Sequence, residues 1–186
     1  MIRSLLPERE IRFVVDVNPD PGDLSPSELF ASQPDADADY YIGIGDNEAR
    51  RRFFDQLKAH GLTVSTCIAP TAWVARDAVL GEGAFIGPGA IVGARTRIGA
   101  NVIVNTLSSI DHDCEIGDDT QLTAAVTLGS WIRVGRSCFF GMKSCVIPRV
   151  EIGDGVVVMA GAFVVRSAPA GVMLGGAPAR VMRDAS

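Results

Sequence analysis

The stretch IGPGAIVGARTRIGANVIVN, residues 86–105, repeats a pattern of six residues. An aliphatic anchor stands at every sixth position, and a small or β-branched residue follows it four places later. The pattern continues in both directions from this stretch, without insertion, over seventeen units, and Phe replaces the aliphatic anchor once. The anchors are residues 68, 74, 80, 86, 92, 98, 104, 110, 116, 122, 128, 134, 140, 146, 152, 158 and 164.

A period of six predicts a solenoid. The small residue lies two places before the next anchor, so both side chains point inward from one short strand. The remaining residues turn a corner, which glycine favours, and glycine follows the anchor in about half of the units. Three strands and three corners per turn give a prism whose coils stack by parallel hydrogen bonding, about 4.8 Å apart. A sandwich of ordinary strands would need variable turn lengths and hairpin signals, and the sequence has neither.

Residues 1–66 lack the period of six, and short strands are predicted to alternate with helices there. The predicted strands are IRFVVDV (11–17), YYIGIG (40–45) and LTVST (62–66). β-Branched and aromatic residues dominate these runs, which is typical of strands. The region is therefore predicted to be a small α/β subdomain.

Two helices are predicted between these strands. Ser25 and Glu28 form a capping box at the start of SPSELFAS (25–32). The second helix begins at Asp46 or Asn47 and ends before Gly61. Its predicted inner face consists of Ala49, Phe53 and Leu57.

The composition disfavours several classes of protein. A net charge of −5 gives no broad cationic face for nucleic acid. No run approaches the roughly 18–20 apolar residues of a membrane span, and MIRSLLPERE (1–10) lacks the apolar core of a signal peptide. The cysteines show no CxxC spacing, so reduced and mostly buried thiols in a cytoplasmic protein are expected. They are Cys67, Cys114, Cys138 and Cys145.

The repeat resembles that of the hexapeptide-repeat acyltransferases, whose fold is a left-handed parallel β-helix. The order of IGIGDNEARRRF (42–53), the seventeen hexads and GVMLGGAPARVMR (171–183) is more specific. It resembles the bacterial sugar acetyltransferases of the sialic acid O-acetyltransferase and nucleotide-linked amino-sugar N-acetyltransferase group, over roughly residues 11–183.

This resemblance implies a mainly β chain divided into three parts. A small, truncated Rossmann-like α/β subdomain, which binds a nucleotide-sugar in relatives, would occupy residues 1–66. The left-handed β-helix would occupy residues 67–168, and a C-terminal segment would occupy residues 169–186.

One unit of the repeat, IDHDCEIG (110–117), carries a histidine between two aspartates at a corner. The positions one coil away from His112 are Ala94 and Ser130, so coil stacking does not demand an imidazole. A histidine suits removal of a proton from an amine or hydroxyl that attacks a thioester, and an adjacent carboxylate orients the ring. The resemblance implies that His112 is the general base and Asp113 its partner.

The alternative for His112 is a solvated surface histidine among turn aspartates, without a catalytic role. His60, the other histidine, follows the second predicted helix and is interpreted as a C-terminal cap that interacts favourably with the helix dipole.

The resemblance also implies the donor site. Acetyl-CoA, the co-substrate, would lie along the groove between neighbouring β-helices of a homotrimer. Ser130 would supply a backbone N–H to the oxyanion, Met142 and Ala160 would contribute mainly backbone contacts, and Arg180 would meet the CoA phosphates. Gln121 stands where the family usually has a second histidine that contacts the donor.

The acceptor site rests on fewer residues. Asp16 ends a predicted strand, where relatives contact the ribose or base, and Gly45 precedes a helix N-terminus, which favours phosphate. The first strand, Gly-rich turn and helix of the family are expected to be missing, because IRFVVDV begins after only ten residues. A misplaced start codon, a natural loss or a changed acceptor would each account for this.

These features together predict an enzyme that moves an acetyl group from acetyl-CoA to a sugar amine or hydroxyl, in nucleotide-linked form, during bacterial surface-glycan biosynthesis. No metal is expected. The alternatives are a non-catalytic β-helical binding or scaffold protein and an acyltransferase with a changed acceptor. A β-helical zinc carbonic anhydrase is disfavoured, because His112 is the only histidine of the repeats. N- and O-acetylation, the sugar, the nucleotide and the acyl length stay open.

Overall fold

A computed structural model describes residues 25–31 and 38–184 of the chain, and its dominant feature is a parallel β-solenoid. Each of the seventeen hexads forms one two-residue strand that ends on its anchor, so the predicted period is confirmed. The strands β1 to β17 are Cys67–Ile68, Trp73–Val74, Val79–Leu80, Phe85–Ile86, Ile91–Val92, Arg97–Ile98, Ile103–Val104, Ser109–Ile110, Glu115–Ile116, Gln121–Leu122, Thr127–Leu128, Arg133–Val134, Phe139–Phe140, Cys145–Val146, Glu151–Ile152, Val157–Val158 and Phe163–Val164.

Every strand pairs in parallel with the strand three places along, at an offset of eighteen residues, as Thr127 with Cys145. Three sheets therefore form the three faces of a prism. We call the sheet β1-β4-β7-β10-β13-β16 the covered face, β2-β5-β8-β11-β14-β17 the apolar face and β3-β6-β9-β12-β15 the charged face. The covered face carries the helix described below, and the other two names follow the outward residue that begins each strand.

The anchors and the small residues before them fill the inside of the prism. From Ile86 onward every anchor is buried, whereas Ile68 in the first coil is 48% exposed, because that coil has a neighbouring coil on one side only. The core is almost entirely aliphatic, and Phe140 is its one aromatic anchor. Burial of these columns drives the stacking.

The glycines that follow the anchors allow close approach between coils and do not supply the left-handed backbone conformation, a distinction that the sequence does not reveal. The glycine after an anchor is needed for close approach: a Cβ on Gly117 would lie 2.6 Å from the carbonyl carbon of Gly135 in the next coil. The left-handed backbone conformation falls two residues later, and ten residues other than glycine adopt it with φ between 55° and 66°. They are Arg95, Asn101, Leu107, Asp113, Asp119, Ala125, Trp131, Ser137, Lys143 and Arg149.

Two helices precede the solenoid in the described residues. The first, α1 (Pro26–Ala31), begins at the predicted capping box, in which the Ser25 N–H donates to Glu28 Oε2 over 2.8 Å. The second, α2 (Asn47–Ala59), has Asp46 as its N-cap and His60 as its C-cap, and both ends agree with the prediction. Its buried apolar residues are Phe54 and Leu57, and the predicted Phe53 is partly buried and packs against the same cluster.

The predicted strands at 40–45 and 62–66 are reduced to one parallel bridge between Tyr40 and Val64. The predicted strand at 11–17 lies outside the described residues, so a Rossmann-like subdomain stays a prediction. The domain boundaries at 66/67 and 168/169 also stay predictions.

Helix α2 is attached to the solenoid through a buried arginine. Arg50 is 1% exposed, and its Nη2 donates to the carbonyl oxygen of Asp119 over 2.8 Å. Its Nε donates to the carbonyl oxygen of Asn101 over 3.2 Å, one coil below. Burial lowers the pKa of Arg50 to about 10, against the opposing field of the Asp119 carboxylate.

The C-terminal end of the solenoid is closed by a hairpin. Strand β18 (Val172–Gly175) continues the covered face in parallel with β16, and β19 (Arg180–Asp184) pairs with β18 in antiparallel fashion. None of the helices in the described residues is long and apolar enough to cross a membrane.

Candidate functional site

His112 lies on the corner between the apolar and the charged face, where β8 ends and β9 begins. Hydrogen bonds to both neighbouring coils hold the backbone of this corner. The Trp131 N–H donates to the His112 carbonyl oxygen over 3.1 Å, and the Asp113 N–H donates to Ala94 over 2.8 Å. The His112 N–H donates to Asp111 Oδ1 over 2.8 Å.

Gly93 makes this position of the corner possible. A Cβ at residue 93 would lie 2.6 Å from the carbonyl carbon of Asp111 and 2.7 Å from the backbone nitrogen of His112. Contacts this short would push the corner outward. The coil that carries His112 can therefore stack closely only on a glycine.

The imidazole of His112 is hydrogen-bonded through Nδ1, and the rest of the ring is largely exposed. Nδ1 lies 2.6 Å from Asp113 Oδ2, and the His112 side chain is 43% exposed. Asp113 is more enclosed, at 22% side-chain exposure.

A third residue, Arg95, completes this group from the coil below. Arg95 Nε donates to Asp113 Oδ1 over 2.6 Å, and Arg95 Nη2 donates to Asp113 Oδ2 over 2.7 Å. This bidentate pair, together with the bond from His112, lowers the pKa of Asp113 to about 2. Asp113 is therefore ionised at neutral pH and can only accept hydrogen bonds.

The state of Asp113 determines the tautomer of His112. Because the carboxylate only accepts, Nδ1 must carry the proton, which leaves the lone pair of Nε2 directed away from Asp113. An open nitrogen with a free lone pair can take a proton from an approaching nucleophile. The predicted pairing of His112 with Asp113 is thus present as a hydrogen bond.

Trp131 forms one wall beside the imidazole. Its ring centre lies 6.1 Å from that of His112, in an edge-on arrangement. The guanidinium of Arg149, one coil further, covers the indole at 4.7 Å from its centroid. Trp131 stands one coil beyond Asp113 in the same column of corner positions.

Ser130 lies directly above His112 in the next coil, on the same corner. Its carbonyl oxygen accepts from the Arg149 N–H over 3.0 Å. Its own backbone N–H donates to none of the residues that the structure describes. Such an N–H is free to bind a developing negative charge.

Met142 and Ala160 lie on the opposite corner of the apolar face, where the covered face ends. Both are exposed, and they stand in one column, one coil apart. The structure brings Ser130 together with His112 and brings Met142 together with Ala160. Within one chain the apolar face separates these two pairs.

The apolar face carries much of the large apolar surface that the chain exposes. Its strands begin with large apolar or small residues, whereas those of the charged face begin with alternating Arg and Glu from β6 to β15. The exposed large apolar residues on the apolar face and its two corners are Trp73, Ile91, Leu107, Trp131, Met142, Met159 and Phe163.

The other predicted site residues lie elsewhere. Gln121 begins β10 on the covered face and is 8% exposed, with its Oε1 3.5 Å from Arg50 Nη1. Gly45 is exposed just before the N-cap of α2, where a Cβ would meet nothing within 4 Å. Arg180 begins β19 and is exposed, and Asp16 lies outside the described residues.

Reasoning from the sequence missed Arg95 and Arg149. The signal that could have found them is the spacing of eighteen, because Arg95, Asp113, Trp131 and Arg149 form one column of the repeat. It also missed Arg50, which belongs to a helix face that looks fully solvated in the sequence.

Two further expectations bear on the chemistry of the site. The four cysteines are free, three of them are buried, and Cys145 is intermediate in exposure. Burial raises the pKa of Cys138 to about 11. In the described part of the chain, no group of three or more His, Cys, Asp or Glu side chains could hold a metal ion.

Comparisons with known proteins give consistent relatives, although no family model matches the chain. A histidine-to-alanine variant of GDP-perosamine N-acetyltransferase from Caulobacter crescentus, solved in complex with CoA and GDP-perosamine, is 31% identical, with a TM-score of 0.82. The match covers 88% of this chain and 78% of that chain. The acetyltransferase domain of PglB from Neisseria gonorrhoeae is 26% identical, with a TM-score of 0.83 over 94% of this chain and 84% of that chain.

The curated proteins give shorter matches. A putative acetyltransferase of Bacillus subtilis, YvoF, is 33% identical over 79 residues, which are 40% of this chain and 46% of that protein. The chain spans less than half the length of the curated relatives that it matches, at 21% and 46%.

Proposed function

The chain belongs to the hexapeptide-repeat β-helix sugar acetyltransferases, and we propose that it transfers an acetyl group from acetyl-CoA to an amine or hydroxyl of a nucleotide-linked sugar. One observation carries this proposal. The exposed imidazole of His112 is held through Nδ1 by an ionised carboxylate, at an edge of the exposed apolar face.

His112 acts as the general base in this proposal. The sugar amine or hydroxyl attacks the thioester carbonyl carbon, and Nε2 takes its proton as the new C–N or C–O bond forms. The imidazolium that results is stabilised by Asp113. Collapse of the tetrahedral intermediate breaks the C–S bond, and the proton passes from Nε2 to the CoA thiolate. The histidine thus returns to its starting tautomer.

Ser130 is the proposed oxyanion donor. Its backbone N–H has no partner in the described residues and lies one coil from His112 on the same corner. A donor of this kind contributes about 3–4 kcal/mol to transition-state stabilisation when it is oriented in advance. The stacking of the two coils fixes that orientation without any side chain.

The proposed assembly is a homotrimer that buries the apolar face. When three copies turn this face toward a common axis, the corner with His112 and Ser130 of one chain meets the corner with Met142 and Ala160 of the next. The groove between them suits the long pantetheine arm of acetyl-CoA. This arrangement also explains why residues predicted for one donor site lie on opposite edges of one chain.

The remaining donor and acceptor contacts follow the family. Arg180 is exposed and available to CoA phosphates. Gln121 can contact acetyl-CoA only if the co-substrate reaches its amide past the Arg50 side chain. We propose that Gly45, before the N-terminus of α2, and Asp16 serve the nucleotide of the acceptor, as GDP-perosamine is bound in the Caulobacter structure. The reducing cytoplasm is the proposed compartment, which suits free thiols.

The proposal is tested by a screen of acceptors. The protein is incubated with acetyl-CoA and UDP-, dTDP- or GDP-linked 4-amino sugars, with free sialic acid included, and release of the CoA thiol is followed together with the mass of the product. We expect thiol release and a gain of one acetyl group with at least one nucleotide-linked sugar. A protein that binds acetyl-CoA in calorimetry but acetylates none of them would contradict the proposed acceptor class. Absence of binding at millimolar acetyl-CoA would contradict the enzyme itself.

A further inference from the structure

We propose that Arg95 is a positioning residue, which acts through Asp113 to fix the tautomer of His112. The inference rests on the proposed role of His112 as base. Three residues in two neighbouring coils form the chain of contacts: the Arg95 guanidinium, the Asp113 carboxylate and the His112 imidazole.

The geometry determines what Arg95 does to the carboxylate. Arg95 donates from two nitrogens, Nε and Nη2, to the two oxygens of Asp113, over 2.6 and 2.7 Å. This fork holds the plane of the carboxylate, because a rotation would break both bonds. Oδ2 is thereby kept 2.6 Å from His112 Nδ1, as an acceptor for its proton.

The repeat itself brings the fork into place. Arg95 and Asp113 are equivalent residues of successive coils, and both adopt a left-handed backbone conformation, with φ of 57° and 59°. Their side chains therefore leave the corner in the same direction, one coil apart. The Asp113 N–H also donates to the carbonyl oxygen of Ala94, which ties the two corners together.

Several charged groups face this corner. They are Asp111 next to the ring, Arg95 beside Asp113, Arg149 across Trp131, and Arg76 and Asp77 one coil below Arg95. Of these, only Arg95 binds the carboxylate that binds His112.

The fork predicts a distinct signature for Arg95→Met. Loss of the fork lets the carboxylate rotate, so the fraction of neutral His112 with its proton on Nδ1 falls. Arg95→Lys keeps the charge without the fork, so the tautomer is expected to shift in this variant as well.

Imidazole ¹⁵N NMR measures the tautomer of His112 without any need for activity. The chain has two histidines, and His60→Gln assigns the second signal. Arg76→Met is the matched control, because it removes the same charge from the same corner, one coil further from His112. Arg95→Gln replaces Arg95→Met if the latter does not fold.

The expected result is a native spectrum with Nδ1 protonated and Nε2 free, a shifted tautomer population in Arg95→Met and Arg95→Lys, and the native population in Arg76→Met. In the acetyl-transfer assay, kcat of Arg95→Met at neutral pH is expected to fall about tenfold, while KM for acetyl-CoA stays within about twofold. A native tautomer population in folded Arg95→Met would overturn the inference. If the native protein transfers no acetyl group, the proposed function fails, and the NMR result still decides the role of Arg95.

Discussion

Asp113 occupies a corner residue with a positive φ of 59°, a conformation that aspartate tolerates better than most residues other than glycine. From this position it reaches two partners at once, Arg95 below and His112 beside it. The carboxylate therefore belongs both to the stacking of the coils and to the chemistry of the site. Removing it affects both functions.

The acid dependence of stability follows from Asp113. Its pKa is lowered to about 2 in the folded chain, and an unfolded aspartate titrates near 4. The bonds to Arg95 and His112 thus stabilise the fold fully above about pH 5, and this stabilisation is lost as the pH falls through about 4 to 2. We expect Asp113→Asn to lower the free energy of unfolding at pH 6 and to lower it progressively less below pH 4.

Urea unfolding of the native protein and the Asp113→Asn variant between pH 2 and 7 measures this difference. Asp111→Asn serves as a control, because Asp111 accepts a bond from a neighbouring N–H that an amide oxygen can equally accept. A difference between the native protein and Asp113→Asn that stayed constant down to pH 2 would be inconsistent with a carboxylate held by Arg95.

At the scale of elements, polar side chains attach α2 to the solenoid. Because Arg50 is buried, separating the helix from the coils would break hydrogen bonds that water does not replace inside the protein. Arg50 donates to backbone carbonyl groups of two coils, while Arg51 pairs with Asp119 Oδ2 at 2.9 Å. Asn47 adds a bond from its Nδ2 to the carbonyl oxygen of Cys138 over 3.1 Å. The helix is thus attached to three successive coils.

Arg50→Met is expected to lower the free energy of unfolding by about 3 kcal/mol, because the buried carbonyl oxygens of Asn101 and Asp119 lose their donor. Hydrogen exchange should quicken first in residues 47–59, while the coils stay protected. Arg52→Met is the matched control on the same helix, since Arg52 forms only an exposed pair with Glu48 at 3.7 Å and should change stability by less than about 0.5 kcal/mol. Equal effects of both substitutions would rule out an anchoring role for Arg50.

The elements of the solenoid were predictable, and those of the α/β region were predictable only in part. Each hexad is specified locally, by an anchor and a small residue that must both face the core, so the seventeen strands follow from the period alone. The inner face of α2 was predicted from an apolar spacing, which found Leu57 and the partly buried Phe53. It missed Phe54 and Arg50, and Arg50 is buried because backbone carbonyl groups of the coils face the helix.

The candidate site was also predictable only in part. A histidine and an aspartate on a corner can be identified in one unit of the repeat, and the structure places them in contact. The roles of Arg95, Trp131 and Arg149 depend on how far side chains reach between coils. That distance is a property of stacked units, which the pattern within one unit does not contain.

At the scale of the whole molecule, the three faces of the prism differ in what lies against them. The covered face carries α2, the charged face alternates arginine and glutamate toward solvent, and the apolar face exposes residues such as Trp73 and Phe163. An exposed apolar surface of this extent on one side of a protein marks an interaction site. A cyclic trimer is the assembly that we propose for it.

Matched substitutions test this assembly. Ile91 on the apolar face is 45% exposed and Val79 on the charged face is 50% exposed, and both are outward residues of short strands. We expect the native protein to be a trimer by light scattering coupled to size exclusion. Ile91→Glu should dissociate it at micromolar concentration, whereas Val79→Glu should leave it intact. A native monomer, or a trimer that survives Ile91→Glu and not Val79→Glu, would place the interface elsewhere.

The most direct test of the account is the rate of acetyl transfer after replacement of His112. With an acceptor from the screen, kcat/KM of His112→Asn is expected to fall by about 10²- to 10⁴-fold, because His112 is the only imidazole of the repeats. His60→Gln, which replaces the only other histidine, should keep the native rate. A folded His112→Asn protein that retained more than about a tenth of the native kcat/KM would contradict a mechanism with His112 as the base.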